Sequence, residues 1–150
     1  MAGRVLIVDS DPNLCGIVEK ALRESGYDVE ARHDGTAALD AVSTDDFDLA
    51  LIDIQLPRRD GFDVLESIRA LPIPACDIPV FLLSATRISA AYKERARTAR
   101  ATAIVKKPIS LDKLNALVKK HIKETPPRVV ERAQRGEPGA NDAPERARAP

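Results

Sequence analysis

The fold is decided by residues 48–65, DLALIDIQLPRRDGFDVL. Its apolar run, 49–52, is short and ends at Asp53, which is typical of a strand buried on both faces of a sheet. The turn PRRDG comes next, in which Gly61 supplies backbone freedom, and a helical pattern follows that ends before Pro72. The stretch therefore predicts a buried strand, a turn and a helix, with an aspartate at the carboxyl end of the strand.

Strand and helix signals alternate in the same way along the chain up to residue 124. Strands are predicted at 5–8, 27–32, 49–52, 80–83 and 103–105. The second, YDVEAR, alternates apolar and polar side chains as an exposed edge strand does, whereas the first, third and fourth are almost wholly apolar. Parallel strands joined by helices need right-handed crossovers with helices on both faces. The sequence thus predicts an α/β, doubly wound, five-stranded parallel sheet of order 2-1-3-4-5, with its switch point between strands one and three.

The ends of the predicted helices carry recognisable signals. Asp11 followed by Pro12 reads as an N-cap and a first helical residue, and Gly26 lies just beyond the end of that first helix. The fourth helix, at 89–99, is the weakest, because its non-polar positions are mostly alanine and bury little surface. We expect it to be mobile.

Composition limits the classes of function. The chain has 150 residues with 23 basic and 23 acidic side chains, so no overall field directs it to nucleic acid or to a membrane. Cys15 and Cys76 lack metal-ligand spacing and are expected to be reduced thiols. No apolar run is long enough for a signal peptide or a membrane span. We expect a soluble, cytoplasmic protein.

The composition changes after Glu124. Residues 125–150 contain five prolines, and their only large apolar residues are Val129 and Val130. Such a segment buries too little surface to offset its ordering entropy. We therefore expect one domain at 1–124, followed by a disordered Pro/Ala/Arg-rich tail or linker.

Polar side chains converge on the carboxyl edge of the predicted sheet. Asp9 and Asp53 end the first and third strands, while Ser84 ends the fourth and Lys107 follows the fifth. Either aspartate alone is an ordinary strand-end residue, but four such groups at one edge indicate a site. Two close carboxylates repel and need a cation, and Mg²⁺ accepts one or two carboxylates together with water or phosphate oxygens. A carboxylate in such a site can attack phosphorus, because positioning and charge stabilisation are most of what this chemistry needs.

Four strings, in this order and spacing, closely resemble the receiver domains of two-component response regulators. They are RVLIVDSDP at 4–12, DLALIDIQLPRRDGFDVL at 48–65, VFLLSAT at 80–86 and IVKKPIS at 104–110. The resemblance covers about residues 3–123. It implies the flavodoxin-like receiver fold, whose sheet order is also 2-1-3-4-5.

The resemblance assigns roles to individual residues. It implies that Asp53 accepts a phosphoryl group from a histidine kinase or phosphotransfer protein, so that the chain is no enzyme beyond catalysing this transfer to itself. It places a magnesium ion on Asp9, Asp53 and the backbone carbonyl of Gln55. Ser84 takes the position of the conserved hydroxyl, and Lys107 that of the conserved lysine.

Two positions depart from the family pattern. Receivers have a second acidic metal ligand after the first strand, where this chain has Ser10, a weak or absent ligand. We predict weak magnesium binding and slow phosphorylation, with Asp11 capping the helix instead of binding the metal. Receivers also have an aromatic residue that reorients on activation, where this chain has Ile104. Signal transmission is then altered or absent, although an isoleucine in a strand needs no functional explanation.

In receivers the downstream protein partner binds the face made by the fourth helix, fifth strand and fifth helix. Six basic residues lie near it: Arg87, Lys93, Arg95, Arg97, Arg100 and Lys106. They suit an acidic partner, but a solvated helix face is the favoured interpretation. We expect no direct nucleic-acid binding, no membrane contact, and a monomer or weak dimer. His33 and His121 are interpreted as surface residues, and the bond before Pro108 is commonly cis in the family.

Two readings compete within the receiver family. A phosphorylatable switch is favoured by the retention of Asp53, Ser84 and Lys107. A degenerate receiver, acting as a phosphorylation-independent interaction module, is favoured by Ser10 and Ile104. We favour the first.

A third reading comes from the D-x-D string after the first strand, which also resembles the haloacid dehalogenase phosphatases. There Asp9 would be the nucleophile and Asp11 the acid/base. Pro12 follows at once, and no later acidic pair suits a metal. This reading is the least favoured.

Overall fold

The computed structural model of the chain describes residues 3–122. Its strands are β1 Arg4–Val8, β2 Asp28–Arg32, β3 Leu49–Asp53, β4 Val80–Ser84 and β5 Ala103–Lys106. Its α-helices are α1 Pro12–Glu24, α2 Gly35–Thr44, α3 Gly61–Arg69, α4 Ala90–Thr98 and α5 Leu111–Ile122, and a 3₁₀ turn, Ala75–Asp77, precedes β4. Within this part of the chain no helix is long and apolar enough to cross a bilayer. The tail predicted at 125–150 lies outside the described residues.

The five strands form one parallel sheet of order β2-β1-β3-β4-β5, which confirms the predicted order. Val8 of β1 is the register partner of Ile52 of β3. The next residues, Asp9 and Asp53, therefore leave the sheet at the same edge. This register brings the two aspartates together at the carboxyl edge of the sheet.

Alternating side chains of the three central strands pack into two apolar layers. One layer lies against α2, α3 and α4 and includes Leu6, Val8, Ala50, Ile52, Val80 and Leu82. The other lies against α1 and α5 and includes Val5, Ile7, Leu49, Leu51, Phe81 and Leu83. β3 and β4 are buried along their whole length and β1 is buried except at Arg4, so the polar residues Asp53 and Ser84 stand at carboxyl ends, as the apolar runs predicted.

Asp11 caps α1, as predicted, by accepting the N–H of Asn13 at 2.9 Å. Three further helices begin in the same way: the side chains of Asp34, Asp60 and Ser89 accept backbone N–H groups at 2.8, 2.9 and 3.1 Å. Each cap lies in a loop that follows a strand. These caps fix the directions in which the helices leave the carboxyl edge of the sheet.

Helices α1 and α4 end in the same hydrogen-bonding pattern but with different residues in the left-handed position. Gly26 after α1 has φ 98°, and Arg100 after α4 has φ 63°. After α1, the N–H of Gly26 donates to the carbonyl of Arg23, and the N–H of Tyr27 donates to the carbonyl of Leu22. After α4, the N–H of Arg100 donates to the carbonyl of Arg97, and the N–H of Ala101 donates to the carbonyl of Ala96. This is the Schellman motif, in which glycine is strongly preferred. Arg100 therefore holds a strained backbone.

Replacing Arg100 by glycine is expected to raise the free energy of unfolding by about 1 kcal/mol, because the left-handed conformation penalises a Cβ. The ion pair of Arg100 with Asp77 is long, at 3.8 Å, and exposed, so its loss costs little. Urea denaturation of the wild type, Arg100→Gly and Arg100→Ala measures the effect. The alanine variant loses the ion pair but keeps the Cβ, so an equal gain in both variants would rule out the backbone explanation.

Candidate functional site

Three of the predicted site residues meet at the carboxyl edge of the sheet. Lys107 Nζ lies 2.6 Å from Asp9 Oδ2 and 3.2 Å from Asp53 Oδ2. The side chains of Asp9 and Asp53 are only 1% and 8% exposed, and that of Lys107 is 19% exposed. The cation that two neighbouring carboxylates require is thus supplied by the lysine itself. The three groups carry one net negative charge.

Asp9 is held on all sides. Its backbone N–H donates to the carbonyl of Arg32 at 3.1 Å, which ties the end of β1 to β2. Its Oδ1 accepts the backbone N–H of Asp11 at 2.9 Å, and its Oδ2 faces Lys107. Both carboxylate oxygens therefore have partners, so Asp9 is a fixed charge.

His33 is exposed, as its interpretation as a surface residue predicted, but its ring also contacts the site. Its Nδ1 lies 3.0 Å from the carbonyl oxygen of Asp9, and Cys15 Sγ lies 3.4 Å from the same oxygen. Burial, and then the charge of Asp9, raise the pKa of Cys15 to about 11, so it remains a thiol at neutral pH. His121 is also more than a surface residue, because its ring packs edge-on against Phe81, with centroids 5.3 Å apart.

Asp53 is a buried carboxylate beside another one. Its Oδ1 accepts the backbone N–H of Gln55 at 3.2 Å. Burial raises the pKa of Asp53, and the charge of Asp9 adds to this, against the lowering effects of the Gln55 hydrogen bond and of Lys107. Burial also opposes the charge of Lys107, but its contacts with Asp9 and Asp53 outweigh this and raise the pKa of the lysine. Lys107 therefore stays an ammonium, and Asp53 is more basic than an exposed aspartate.

Gly61 is required because the backbone of the site lies very close to it. It is the first residue of α3, and its N–H donates to the carbonyl of Ile54 at 2.8 Å. A Cβ on Gly61 would lie 2.3 Å from the carbonyl oxygen of Asp53. Close approach to the site, and not backbone freedom, demands the glycine; the left-handed residue of this turn is Arg58, with φ 73°.

Ser84 lies at the same edge, but its hydroxyl is hydrogen-bonded within the loop that follows β4. It is buried, and its Oγ donates to the carbonyl of Thr86 at 2.9 Å. The backbone N–H of Lys107 donates to the carbonyl of Ser84 at 2.8 Å, which links the ends of β4 and β5. The bond between Lys107 and Pro108 is cis, as the resemblance implied.

The residues at this edge fit a magnesium ion with few protein ligands. Within residues 3–122 no cluster of three or more His, Cys, Asp or Glu side chains could hold a metal. Asp9 and Asp53 supply two buried carboxylates, whereas Ser10 is exposed and Asp11 caps α1. Two carboxylates with the remaining positions left to water or phosphate oxygens are a set that Mg²⁺ accepts.

Comparisons with known proteins agree with this geometry. The family model described as "Response regulator receiver domain" matches residues 5–119. The response regulator MprA of Mycobacterium tuberculosis (strain H37Rv) is 32% identical over 127 residues, which is 85% of this chain and 54% of the relative. MprA of Mycobacterium avium (strain 104) is 32% identical over 124 residues, or 83% of this chain and 53% of the relative. The chain thus spans about half the length of the curated relatives it matches.

Solved structures give the same result. The receiver domain of the Francisella response regulator 1452 is 28% identical, with a TM-score of 0.74, over 83% of this chain and 99% of that one. The receiver domain of the sensor histidine kinase PA1611 from Pseudomonas aeruginosa, which holds a magnesium ion in its active-site cleft, is 25% identical. Its TM-score is 0.74, over 83% of this chain and all of that one. The chain belongs to the family of response regulator receiver domains, and it is a receiver domain of a two-component system.

Proposed function

We propose that the chain is a phosphorylatable receiver, in which Asp53 takes a phosphoryl group from a histidine kinase or a phosphotransfer protein. The observation that supports this most is the ammonium of Lys107, which lies between the carboxylates of Asp9 and Asp53. A lysine in this place balances the buried charge before the reaction and faces the oxygens that become charged during it. An interaction module without chemistry does not need this arrangement.

The proposed transfer uses the groups that meet at this edge of the sheet. A carboxylate oxygen of Asp53 forms a bond to phosphorus, while the bond between phosphorus and the donor nitrogen breaks and its electron pair leaves with the donor. The carboxylate charge is consumed in the new acyl phosphate bond, so the ammonium of Lys107 is free to pair with a phosphoryl oxygen. Ser84 is placed to donate to another one once its hydroxyl turns away from Thr86. Bound magnesium, held by Asp9, Asp53 and the Gln55 carbonyl, would supply charge neutralisation at the phosphoryl oxygens.

The chain acts on itself and not on a released substrate, so we propose no further enzymatic activity. The downstream partner is a protein that binds the face of α4, β5 and α5. Much of the basic charge noted near this face is paired: Arg95 with Asp63 and Glu66, Arg97 with Glu94 and Arg100 with Asp77. This pairing weakens the case for a strongly acidic partner. A cytoplasmic location, and a monomer or weak dimer, remain part of the proposal.

Replacing Ser10 by aspartate is expected to tighten magnesium binding about tenfold, or roughly 1.4 kcal/mol, because a carboxylate ligand replaces a hydroxyl. Phosphorylation at low magnesium concentration should accelerate in parallel. Isothermal titration of Mg²⁺ measures the affinity, and Ser10→Asn is the uncharged control of similar shape. Equal affinities for the wild type and Ser10→Asp would refute the view that Ser10 weakens the metal pocket.

The proposed function is tested by incubating the protein with acetyl phosphate and Mg²⁺ and following its intact mass. The proposal predicts a single added phosphoryl group, whose rate of formation rises with Mg²⁺. No added mass at any magnesium concentration would support the second candidate, a degenerate receiver that binds partners without phosphorylation. The exposed Ser10 and the missing aromatic residue at Ile104 are the features that favour that candidate.

The phosphatase reading has little support in the geometry. Asp11, its acid/base, caps α1, and the side chain of Asp9, its nucleophile, is only 1% exposed, against 8% for Asp53. A nucleophile must be accessible to the phosphorus, and Asp53 is the more exposed of the two carboxylates. Phosphate attached to Asp9 would nonetheless revive that reading.

A further inference from the structure

Helix α4 is attached to the rest of the domain through very few apolar contacts. Within the helix, Ala96 is the one buried residue, in agreement with the alanine-rich pattern seen in the sequence. Its larger contact is made by Tyr92, whose ring meets that of Phe62 on α3 edge-on, with centroids 5.4 Å apart and an interplanar angle of 68°. Aromatic pairs of this geometry contribute beyond the area they bury.

A second side chain of α4 contacts the same ring. The guanidinium of Arg95 lies 4.6 Å from the centroid of Phe62, which is a cation–π contact. Arg95 also pairs with Asp63 and Glu66 of α3, at 3.4 Å each. These exposed pairs stabilise little by themselves, but they hold the guanidinium over the ring. Phe62 is therefore the common contact of both α4 side chains.

Phe62 is also next to the backbone of the acceptor site. The preceding residue, Gly61, donates its N–H to the carbonyl of Ile54 and lies against the carbonyl of Asp53. The Phe62 side chain is 1% exposed, so its ring is enclosed. A displacement of the backbone at residues 53–54 must move Gly61, and the ring then transmits the movement to Tyr92 and Arg95.

There is room for such a movement. An open cleft of about 460 Å³ separates the loop after β3 from α4. Gln55 and Leu56 line one side of it, and Tyr92 and Arg95 line the other. Because Gln55 donates to Asp53 through its backbone N–H, the loop side of this cleft is tied directly to the acceptor carboxylate.

The route expected in receivers is incomplete in this chain. Ile104 has no ring to reorient, and it lies half-buried at the edge of the apolar layer below α4. A β-branched side chain in a strand has few rotamers available. Ser84, which would drive the movement, donates its hydroxyl to Thr86.

We propose that changes at Asp53 reach α4 through Phe62, which takes over the coupling that an aromatic residue at position 104 would provide. Phe62 acts here as a positioning residue for Tyr92 and Arg95. The proposal rests on the proposed function for what alters the charge of Asp53 in the cell, but the coupling itself is a property of the fold.

The test is backbone NMR of the full chain in two arms. In the first, beryllofluoride with Mg²⁺ replaces the phosphoryl group, and amide shifts are recorded at residues 53–56 and along α4. In Phe62→Leu the shifts at residues 53–56 should persist, while those of α4 should fall by about threefold or more, within the usual range of such couplings. Tyr92→Leu changes the α4 side of the same contact, at a half-buried residue, and should act in the same direction.

Two controls separate coupling from general damage. Phe81→Leu removes another fully buried ring, on the opposite face of the sheet, and should leave the α4 response unchanged. Ile104→Val trims the residue at the usual switch position and should also leave it unchanged. An undiminished α4 response in Phe62→Leu, or its loss in Ile104→Val, would overturn the proposal.

The second arm needs no phosphoryl group or analogue. Asp53→Asn removes the acceptor charge permanently, and its effect on the α4 amides is compared in the wild-type and Phe62→Leu backgrounds. The proposal predicts α4 shifts in the first background and much smaller ones in the second. Equal shifts in both, or none in either, would overturn it. If beryllofluoride has no effect at residues 53–56 of the wild type, the proposed function fails, and this second arm still decides the coupling.

Discussion

Asp53→Asn is expected to abolish covalent phosphorylation, with no acyl phosphate detectable after prolonged incubation with acetyl phosphate and Mg²⁺. The amide keeps the size and the Gln55 contact of the carboxylate but is not a nucleophile toward phosphorus. We do not expect Asp9 to replace it, because the Asp9 side chain is more deeply buried than that of Asp53 and lies closer to Lys107, at 2.6 Å against 3.2 Å. Intact-mass spectrometry over time, beside the wild type, measures the loss.

The matched control is Asp9→Asn, which removes the other buried carboxylate of the pair. It should weaken Mg²⁺ binding and slow the reaction but retain phosphorylation, since the nucleophile remains. Abolition by Asp9→Asn together with full activity in Asp53→Asn would reverse the assignment of roles.

The same Asp53→Asn variant should be more stable than the wild type at pH 7, by on the order of 1 kcal/mol, the size of a typical single-site effect. Burial raises the pKa of Asp53 above the ordinary value of 3.8, so folding disfavours its charged form. The carboxyl group contributes most to stability when it is neutral, and this contribution is lost as pH rises through the raised pKa. The advantage of the asparagine variant should therefore shrink as pH falls toward 3.8. Urea denaturation at several pH values checks the trend, and a gain that does not depend on pH would contradict it.

Lys107→Met is expected to slow phosphorylation about a hundredfold, the usual scale for removing one preorganised group that stabilises transition-state charge. Without the ammonium, Asp9 and Asp53 are left as two buried carboxylates that share no protein cation. Their mutual repulsion is then not compensated, and the site attracts a divalent ion more strongly. We therefore expect Mg²⁺ binding to tighten while phosphorylation slows.

A higher Mg²⁺ affinity together with a lower phosphorylation rate distinguishes a chemical role of Lys107 from general disruption of the site. General disruption would lower both the affinity and the rate. Rates with acetyl phosphate and isothermal titration of Mg²⁺ provide the measurements. Lys107→Arg keeps the charge with a different geometry and should recover part of the rate. Unchanged rates in Lys107→Met would exclude the lysine from the transfer.

The sheet order was predictable because the central strands and the edge strand differ in their patterns of apolar and polar residues. Three apolar runs require burial on both faces, and the alternation in residues 27–32 requires an edge. Given that order, the convergence of Asp9, Asp53 and Lys107 follows from the register alone. Each predicted strand differs from the observed one by one residue at one end. The 3₁₀ turn Ala75–Asp77 has no sequence signal of its own, since it lies in a loop with prolines.

The features that were missed depend on side-chain contacts between distant segments. His33 reaches Asp9 because β2 runs beside β1, and nothing near His33 in the sequence indicates this. The basic residues near α4 suggested a charged face, yet Arg95 is paired with acidic residues of α3. The sequence around Gly61 indicates turn flexibility, although the constraint on this residue is the nearby carbonyl of Asp53. Single-residue patterns do not reveal such contacts.

The central claim is that the acceptor is Asp53, and the most direct measurement locates the phosphate. The protein is incubated with acetyl phosphate and Mg²⁺, the acyl phosphate is trapped by borohydride reduction, and the modified residue is found by peptide mass spectrometry. The account predicts modification at Asp53 alone. Modification at Asp9, or none in a protein that binds Mg²⁺, would contradict it.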